Sequence, residues 1–326
     1  MNKTPSEEQV KQILERHFPD VSVSSTMRIN EGFTHYMYES VLDTKTVIIR
    51  VGYNENEEYS LGKEFWAMEA YKKAGIPVPS IYAIDTSRTE FPFEYMVMQK
   101  LPGQCLGQIW NALKPEEKKQ VAFEMGRLLA KMHEVRFEDF GSIGPEGFFV
   151  DNDFSFRESA RLEGHVSWKR QLLKKTLDDM SILMAMDLLK HEQTVAIASK
   201  LHSNLSFANQ AEPVLVHNDF CLDHIFVEER DGKWEISGIC DFEFAAAYAR
   251  EYDFIKLHRS GFLDEADMKE ALLEGYGLDK LHPEFDEVVA YYRFTRDIGF
   301  AAFTAKSGER ETSQKALENV LKFVNQ

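Results

Sequence analysis

The sequence predicts an α+β fold of two lobes, in which an antiparallel sheet with one helix precedes a mostly helical lobe. Short runs of alternating polar and apolar residues fill the first third of the chain, separated by turn residues, as in antiparallel strands. From Gly103 onward, apolar residues recur at intervals of three and four, as in helices. The 326 residues exceed what one small core requires, so we place two lobes at residues 1–101 and 102–326.

The N-terminal lobe is predicted to begin with a helix and to continue as a sheet. Thr4-Pro5-Ser6-Glu7 offers an N-cap residue, a proline suited to the first helical position and a capping glutamate, and the helix should reach Phe18. A glycine-containing loop at residues 31–35 should separate the first two strands. A second helix should open near Glu64 and end at Gly75-Ile76-Pro77. The predicted strands are residues 21–29, 36–42, 46–51, 81–84 and 94–99.

The C-terminal lobe is predicted to consist of helices with a few short buried strands near its middle. Residues 141–147 are rich in glycine and indicate a looser segment without regular structure. The strands are expected at residues 214–216, 225–227 and 235–240. The helices are expected at residues 115–133, 156–176, 178–190, 192–204, after 263–267, 284–305 and 309–324.

Composition and charge limit the classes of partner. With 44% apolar and 28% charged residues, the chain is typical of a soluble globular protein. A formal net charge of −16 argues against a nucleic-acid partner and against anionic membranes, and it is compatible with a cationic substrate. The three cysteines form no disulfide framework or zinc spacing, and no long apolar run or signal peptide is visible. We therefore expect a cytoplasmic protein, either a monomer or a homodimer.

The most informative stretch runs from Val214 to Leu257. Two apolar runs bracket a polar turn that contains Asp219 and His224, and a third apolar run ends directly on Asp241. Charged groups at the ends of short buried strands are held rigidly, as a phosphate and metal site requires. In phosphoryl transfer, Asp219 would accept or orient the attacking hydroxyl, while Asp241 would hold Mg²⁺. His224 would add a second metal contact, although imidazole suits softer metals better.

These residues resemble the catalytic and metal loops of the kinase-like small-molecule phosphotransferases, above all the aminoglycoside phosphotransferases. The similarity lies in His217-x-Asp219, in a metal-ligand position five residues later, and in Asp241-Phe242. Most members carry Asn where this chain has His224. The branch that phosphorylates the 2-double-prime hydroxyl of aminoglycosides carries His there, and so do the macrolide phosphotransferases. The resemblance implies a bilobal protein-kinase-like fold, Mg²⁺, and ATP or GTP as phosphoryl donor.

The resemblance also implies roles for individual residues. His217 would brace the catalytic loop, and Asp253 would lock that loop through backbone hydrogen bonds. Arg50 takes the place of the kinase lysine that holds the α and β phosphates, with Glu64 as its ion-pair partner. The nucleotide contacts implied in this way are Gly32, Phe33, Thr34, Arg50, Glu64, Met98, Gln99 and Leu101.

A small acceptor fits this chain better than a protein does. Only a dozen residues separate Asp241 from Asp253, which leaves no room for the long activation segment of protein kinases. The resemblance implies an aminoglycoside as the acceptor, and a cationic acceptor would require acidic contacts. The acidic residues proposed for that role are Asp223, Glu243, Glu251, Asp264, Glu265 and Asp297.

Three alternatives to an aminoglycoside phosphotransferase remain open at this point. The first is a macrolide phosphotransferase or a metabolic kinase that acts on an amino alcohol or a sugar. The second is a metal-dependent hydrolase with His217, Asp219, His224 and Asp241 as ligands. The third is a catalytically silent nucleotide-binding protein.

Overall fold

A computed structural model describes residues 5–31, 35–52, 60–144, 147–149, 167–209 and 211–325. Its N-terminal part contains a five-stranded antiparallel sheet with the strand order β1-β2-β3-β5-β4. The strands are β1 (Val23–Glu31), β2 (His35–Leu42), β3 (Thr46–Gly52), β4 (Ile81–Asp85) and β5 (Glu94–Gln99). The helices of this part are α1 (Glu7–His17) and α2 (Leu61–Lys73). The predicted fold class, with an antiparallel N-terminal sheet, is confirmed.

Helix α1 covers one face of the sheet. It begins at Glu7 with Ser6 as its N-cap, and the hydroxyl of Ser6 accepts a hydrogen bond from the backbone N–H of Gln9. The helix therefore starts two residues later than a proline at the first helical position would require. The backbone N–H of Ser6 in turn donates to the side-chain oxygen of Gln9, so the reciprocal pair fixes the start of the helix.

Helix α2 connects the sheet to the central strands of the C-terminal lobe. Ser60 caps its first turn, and Lys63 and Glu64 are buried in that turn. The hydroxyl of Tyr71 donates a hydrogen bond of 2.8 Å to the carbonyl of Leu215. Burial of Tyr71 beside Phe242, with ring centroids 5.3 Å apart, fixes α2 against the segment that carries Asp241.

The C-terminal lobe is mostly helical. Its helices are α3 (Leu106–Ile109), α4 (Pro115–Met132), α5 (Trp168–Ala185), α6 (His191–Ser203), α7 (Ile255–Arg259), α8 (Ala266–Tyr276), α9 (Phe285–Lys306) and α10 (Arg310–Val324). Its strands are β6 (Gln104–Cys105), β7 (Gly141–Gly144), β8 (Gly147–Phe149), β9 (Pro213–Val216), β10 (Ile225–Arg230), β11 (Lys233–Ile239) and β12 (Ala246–Ala249). They form two small sheets, ordered β11-β10-β6 and β8-β7-β12-β9. In the described part of the chain, no helix combines the length and apolarity needed to cross a bilayer.

Two expectations about this lobe are wrong. The predicted break near residue 177 does not occur, and α5 runs unbroken to Ala185, because no glycine or proline interrupts it and its buried face continues through Met180 and Leu183. Asp187 then takes a positive φ of 57°, which ends the helix before the predicted limit. The supposed looser segment from Gly141 forms the β7–β8 hairpin, which pairs through β7 with β12.

Close contact between α4 and α8 depends on two glycines. A Cβ added at Gly126 would lie 2.0 Å from the carbonyl oxygen of Leu272, and one added at Gly275 would lie 2.0 Å from that of Phe123. No side chain fits such a distance, so the two helix backbones touch directly. This packing belongs to the large core that also contains Phe220, which follows Asp219, and Phe242, which follows Asp241.

Candidate active site

The turn after strand β9 is held by one buried carboxylate. Asp253, which is 1% exposed, accepts hydrogen bonds from the backbone N–H groups of His217 at 2.9 Å and Asn218 at 2.5 Å. Asn218 has a positive φ of 63°, a conformation that asparagine tolerates better than most residues. The side-chain amide of Asn218 donates to the carbonyl of Phe244 at 3.0 Å. These bonds fix the backbone immediately before Asp219.

His133 completes the support of Asp253. Its Nε2 lies 3.0 Å from Asp253 Oδ2, and its Nδ1 lies 2.8 Å from the hydroxyl of Tyr276. Sequence analysis did not link His133 to Asp253. The two residues are 120 positions apart, and no local sequence signal connects them.

His217 uses both ring nitrogens within the protein. Nε2 donates to the carbonyl of Cys240 at 2.9 Å, and Nδ1 accepts from the backbone N–H of Asp219 at 3.3 Å. Burial and the neighbouring His224 lower the pKa of His217, which keeps the ring neutral and suits this arrangement. His217 therefore ties the turn to the end of β11. Neither nitrogen is left to bind a metal, which weakens the hydrolase alternative.

Asp219 lies at the centre of the site and is 8% exposed. Its Oδ1 receives two cations, with Lys256 Nζ at 2.7 Å and Arg296 Nη2 at 3.3 Å. Its Oδ2 faces His224, whose Nδ1 is 3.7 Å away. Sequence reasoning missed Lys256 and Arg296, because they come from α7 and α9 and belong to no motif with Asp219.

His224 and Asp241 face each other across a short gap. His224 Nδ1 donates to the backbone carbonyl of Asp219 at 2.9 Å, which directs Nε2 to within 3.3 Å of Asp241 Oδ2. Asp241 has a positive φ of 70° and lies two residues after the end of β11. An imidazole nitrogen and a carboxylate oxygen at one point form a partial ligand set for a divalent cation, and substrate phosphates can supply the remaining ligands. These two groups could hold a divalent cation, and Mg²⁺ at this point stays a prediction.

The charges of this pair are strongly perturbed. Burial opposes the charge of Asp241, but Arg50 and His224 outweigh that effect and hold the pKa of the carboxyl well below its usual range. Burial would lower the pKa of His224, but contacts with Cys221, Asp241 and Asp219 raise it to about 9. At neutral pH the metal-free imidazole therefore carries a proton on each nitrogen. A cation that binds Nε2 must displace one of them.

A second metal arrangement can be compared with this one. Asp219, Cys221 and His224 have ligand atoms within 4.8 Å of one another. Cys221 Sγ lies 3.6 Å from Nδ1 of His224, the same nitrogen that donates to the backbone of Asp219. That nitrogen is already committed, so the pairing of Nε2 with Asp241 is the better site for a metal.

Arg50 of strand β3 forms ion pairs with three carboxylates. Its Nε lies 3.1 Å from Glu64 Oε2, and its Nη2 lies 2.9 Å from both Asp241 Oδ1 and Glu243 Oε2. The structure thus brings together Arg50 and Glu64, which sequence reasoning paired. Burial raises the pKa of Glu64 to about 7 against the effect of Arg50, since one guanidinium is shared among three acids. Glu243 also meets His35 Nδ1 at 2.9 Å.

The remaining nucleotide residues are only partly placed. Gly32, Phe33 and Thr34 lie outside the described residues. Met98 and Leu101 are 5% and 8% exposed, so their side chains belong to the core. Gln99 accepts a hydrogen bond from the backbone of Ser80 at 3.3 Å through its side chain. Contacts with a base at this edge would have to come from the backbone.

The six proposed acceptor residues do not form one acidic pocket. Glu251 is buried and accepts from the backbone N–H of His282, and Asp297 is buried between Arg259 and Arg293. Asp264 and Glu265 are exposed at the start of α8. The carboxylate of Asp223 closely approaches Gly107, and Glu243 belongs to the Arg50 cluster. The acidic residues are therefore dispersed, whereas the cations Lys256 and Arg296 converge on Asp219.

Comparisons with known proteins agree with this architecture. A model of the phosphotransferase enzyme family, APH, matches residues 25–289. The solved GDP and kanamycin complex of APH(2'')-IIIa superposes with a TM-score of 0.68 at 16% identity, covering 97% of this chain and 98% of that one. A thermostable mutant of the aminoglycoside phosphotransferase APH(4)-Ia, in ternary complex with ADP and hygromycin B, gives the same TM-score, identity and coverage. At this identity the similarity establishes the fold, which is kinase-like.

A curated relative matches a much shorter segment. A subtelomeric hrmA-associated cluster protein of Aspergillus fumigatus is 29% identical over 69 residues. The match covers 21% of this chain and 14% of the fungal protein. Since it spans so little of either chain, it carries no argument about substrates.

Proposed function

Because the chain belongs to the phosphotransferase enzyme family, we propose that it transfers the γ-phosphate of ATP or GTP to a hydroxyl group of a small molecule. The observation that carries this proposal is the convergence of four charged groups from three separate parts of the chain. A buried carboxylate, Asp219, lies beside the pair formed by His224 and Asp241, and Arg50 adjoins that pair at 2.9 Å. Phosphoryl transfer needs these three functions and little covalent chemistry from the protein.

Asp219 would act on the acceptor. Its carboxylate would receive a hydrogen bond from the acceptor hydroxyl and take the proton as the oxygen attacks the γ-phosphorus. The new bond forms between that oxygen and phosphorus, and the bond to the bridging oxygen of the nucleoside diphosphate breaks. Support from Asp253 and His217 would keep the Asp219 carboxylate positioned for the acceptor hydroxyl. Such positioning matters because misplacement of about 1 Å can reduce the rate by about 100-fold.

Asp241 and His224 would hold the metal. When bound, Mg²⁺ would supply positive charge that offsets the negative charge of the donor phosphates. Asp241 Oδ2 and His224 Nε2 are the ligand atoms proposed for it, while Oδ1 of Asp241 stays with Arg50.

Arg50 would act on the donor phosphates. It is 5% exposed and is held by Glu64 from helix α2. A guanidinium offers a planar fork that matches phosphate oxygens, so Arg50 can replace the lysine of protein kinases. The lobe at residues 1–101 would then bind the nucleotide, and residues 102–326 would bind the acceptor. The complexes of the related structures with GDP and ADP support a nucleotide donor.

The acceptor predicted from the sequence is an aminoglycoside. The related structures that contain kanamycin and hygromycin B support this class. A metabolic acceptor is the second candidate, because Lys256 and Arg296 place positive rather than negative charge beside Asp219. The cytoplasmic location and the state of monomer or homodimer remain predictions from composition.

The proposal is tested by acceptor-dependent release of nucleoside diphosphate. Mg-ATP and Mg-GTP are each supplied with aminoglycosides, macrolides, amino alcohols, sugars and hydroxy acids. Turnover on one class that Asp219→Asn abolishes, and that the exposed-site control Asp20→Asn retains, would support phosphotransfer. Nucleotide binding without turnover on any class would favour the silent alternative. Absence of nucleotide binding would contradict the proposal.

A further inference from the structure

The two oxygens of Asp219 face different environments. Oδ2 faces His224, which leads to Asp241 and Arg50, the side proposed for metal and nucleotide. Oδ1 faces Lys256 and Arg296, which come from helices α7 and α9 of the C-terminal lobe. Since donor and metal occupy the first side, the acceptor must approach from the second. Lys256 and Arg296 therefore lie where the acceptor meets Asp219.

Positive charge exceeds negative charge on this second side. Lys256 and Arg296 share one carboxylate oxygen, and the other polar partner of Arg296 is the neutral Oδ1 of Asn218 at 2.8 Å. The side chains of Lys256 and Arg296 keep 32% and 18% of their surface exposed. One helical turn away from Lys256 and from Arg296, two more arginines, Arg259 and Arg293, share the carboxylate of Asp297. Within the described part of the chain, these four cations of α7 and α9 pair with two acids, Asp219 and Asp297.

This arrangement conflicts with catalysis unless something else occupies the cations. A carboxylate that already receives an ammonium and a guanidinium on one oxygen has less capacity to accept a hydroxyl proton there. An anionic group on the acceptor would draw Lys256 and Arg296 toward itself and leave Oδ1 open to the neighbouring hydroxyl. A polycation at the same place would meet two like charges, and like-charge contacts are strongly unfavourable.

We propose that the acceptor carries a carboxylate or phosphate group close to its reactive hydroxyl, and that Lys256 and Arg296 bind this anionic group. The inference rests on the proposed phosphotransferase function and names the substrate class of the same site. Arg296 supplies a fork that can bind two oxygens of the anion, and Lys256 supplies a compact charge with a flexible stem. The acceptor is thus selected by charge as well as by its hydroxyl.

The test uses pairs of acceptors that differ only in charge. Pantothenate is compared with panthenol, glycerate with glycerol, and gluconate with sorbitol, and kanamycin serves as the cationic probe. Release of nucleoside diphosphate and the thermal midpoint with Mg-nucleotide bound are measured for each. We expect at least one acid to exceed its neutral counterpart by about tenfold in kcat/KM or to be the only one that raises the midpoint.

Variants distinguish acceptor binding from other roles. Lys256→Met and Arg296→Met should each raise the KM for the acid by about tenfold and leave the KM for the nucleotide little changed, so that the preference for the acid over its neutral counterpart is lost. Lys269→Met is the matched control, because Lys269 pairs with Asp286 on the surface of the same lobe.

Several outcomes would overturn the inference. These are equal use of acids and neutral counterparts, turnover of kanamycin that is insensitive to Lys256→Met, and a rise in nucleotide KM instead of acceptor KM. A complete lack of response to every acid would also overturn it. In each case nucleotide-dependent stabilisation in the same experiment reports separately on the proposed function, so the two can fail independently.

Discussion

Replacement of Asp253 by asparagine tests how the catalytic turn is held. The two carboxylate oxygens each accept one backbone N–H, from His217 and Asn218, and Oδ2 also contacts His133. Asparagine has one acceptor oxygen, so its amide N–H₂ must face one of these buried donors. One charge-assisted hydrogen bond is lost and one buried donor is left unsatisfied. Together these effects should lower the free energy of unfolding by about 2–4 kcal/mol. Because Asn218 directly precedes Asp219, kcat should fall by about 100-fold.

The assay combines urea denaturation with steady-state kinetics on whichever acceptor is turned over. Nucleotide affinity should change little, because Arg50 and its acidic partners share no hydrogen bond with Asp253. The exposed Asp20→Asn serves as control and should stay within about 0.5 kcal/mol of the wild type. An Asp253→Asn protein as stable as this control and fully active would refute the account of the turn.

The remaining predictions concern charge and packing. Arg50→Met leaves the buried Glu64 and Glu243 and the partly exposed Asp241 without their cation, so it should lower the free energy of unfolding by about 3–5 kcal/mol and weaken Mg-nucleotide binding in calorimetry. If affinity is unchanged, Arg50 does not contact the phosphates. Burial raises the pKa of Asp179. The protonated acid is therefore favoured in the folded state, and stability is lost as pH rises from the ordinary value of 3.8 through the raised pKa. Asp179→Asn should be more stable than wild type at neutral pH in urea titrations, with the difference vanishing below pH 3.8; an equal difference at all pH values would contradict this. Gly126→Ala places a Cβ 2.0 Å from the carbonyl of Leu272 and should cost about 1–3 kcal/mol in the same assay. A loss under about 0.5 kcal/mol would show that α4 and α8 can separate freely.

Sequence reasoning predicted what is encoded locally. The strands before His217 and before Asp241 are apolar runs bounded by polar turns, and both appear where expected. The pairing of Arg50 with Glu64 was also foreseen, because it follows from a recognisable order of strand and helix. Such features depend on neighbouring residues and on a motif, so a single sequence can reveal them.

Features that depend on tertiary contacts were not predicted from the sequence. Lys256 and Arg296 are ordinary basic residues in helices, and only the packing of α7 and α9 brings them to Asp219. The acidic acceptor pocket was inferred from carboxylates that the fold pairs elsewhere, as with Asp297 and its two arginines. The β7–β8 hairpin was missed because its short glycine-rich strands carry little hydrophobic periodicity, and their pairing with β12 defines them.

Transfer of radiolabelled γ-phosphate from Mg-ATP and Mg-GTP to a small-molecule acceptor is the most direct test of the central claim. Wild-type protein and Asp219→Asn would be compared with the same acceptor, after nucleotide binding has been verified for both. We predict that the label appears on the acceptor with the wild type, and that the variant binds nucleotide but transfers label at least about 100-fold more slowly. Equal transfer by the two proteins would show that Asp219 is not the residue that acts on the hydroxyl, and would contradict the account.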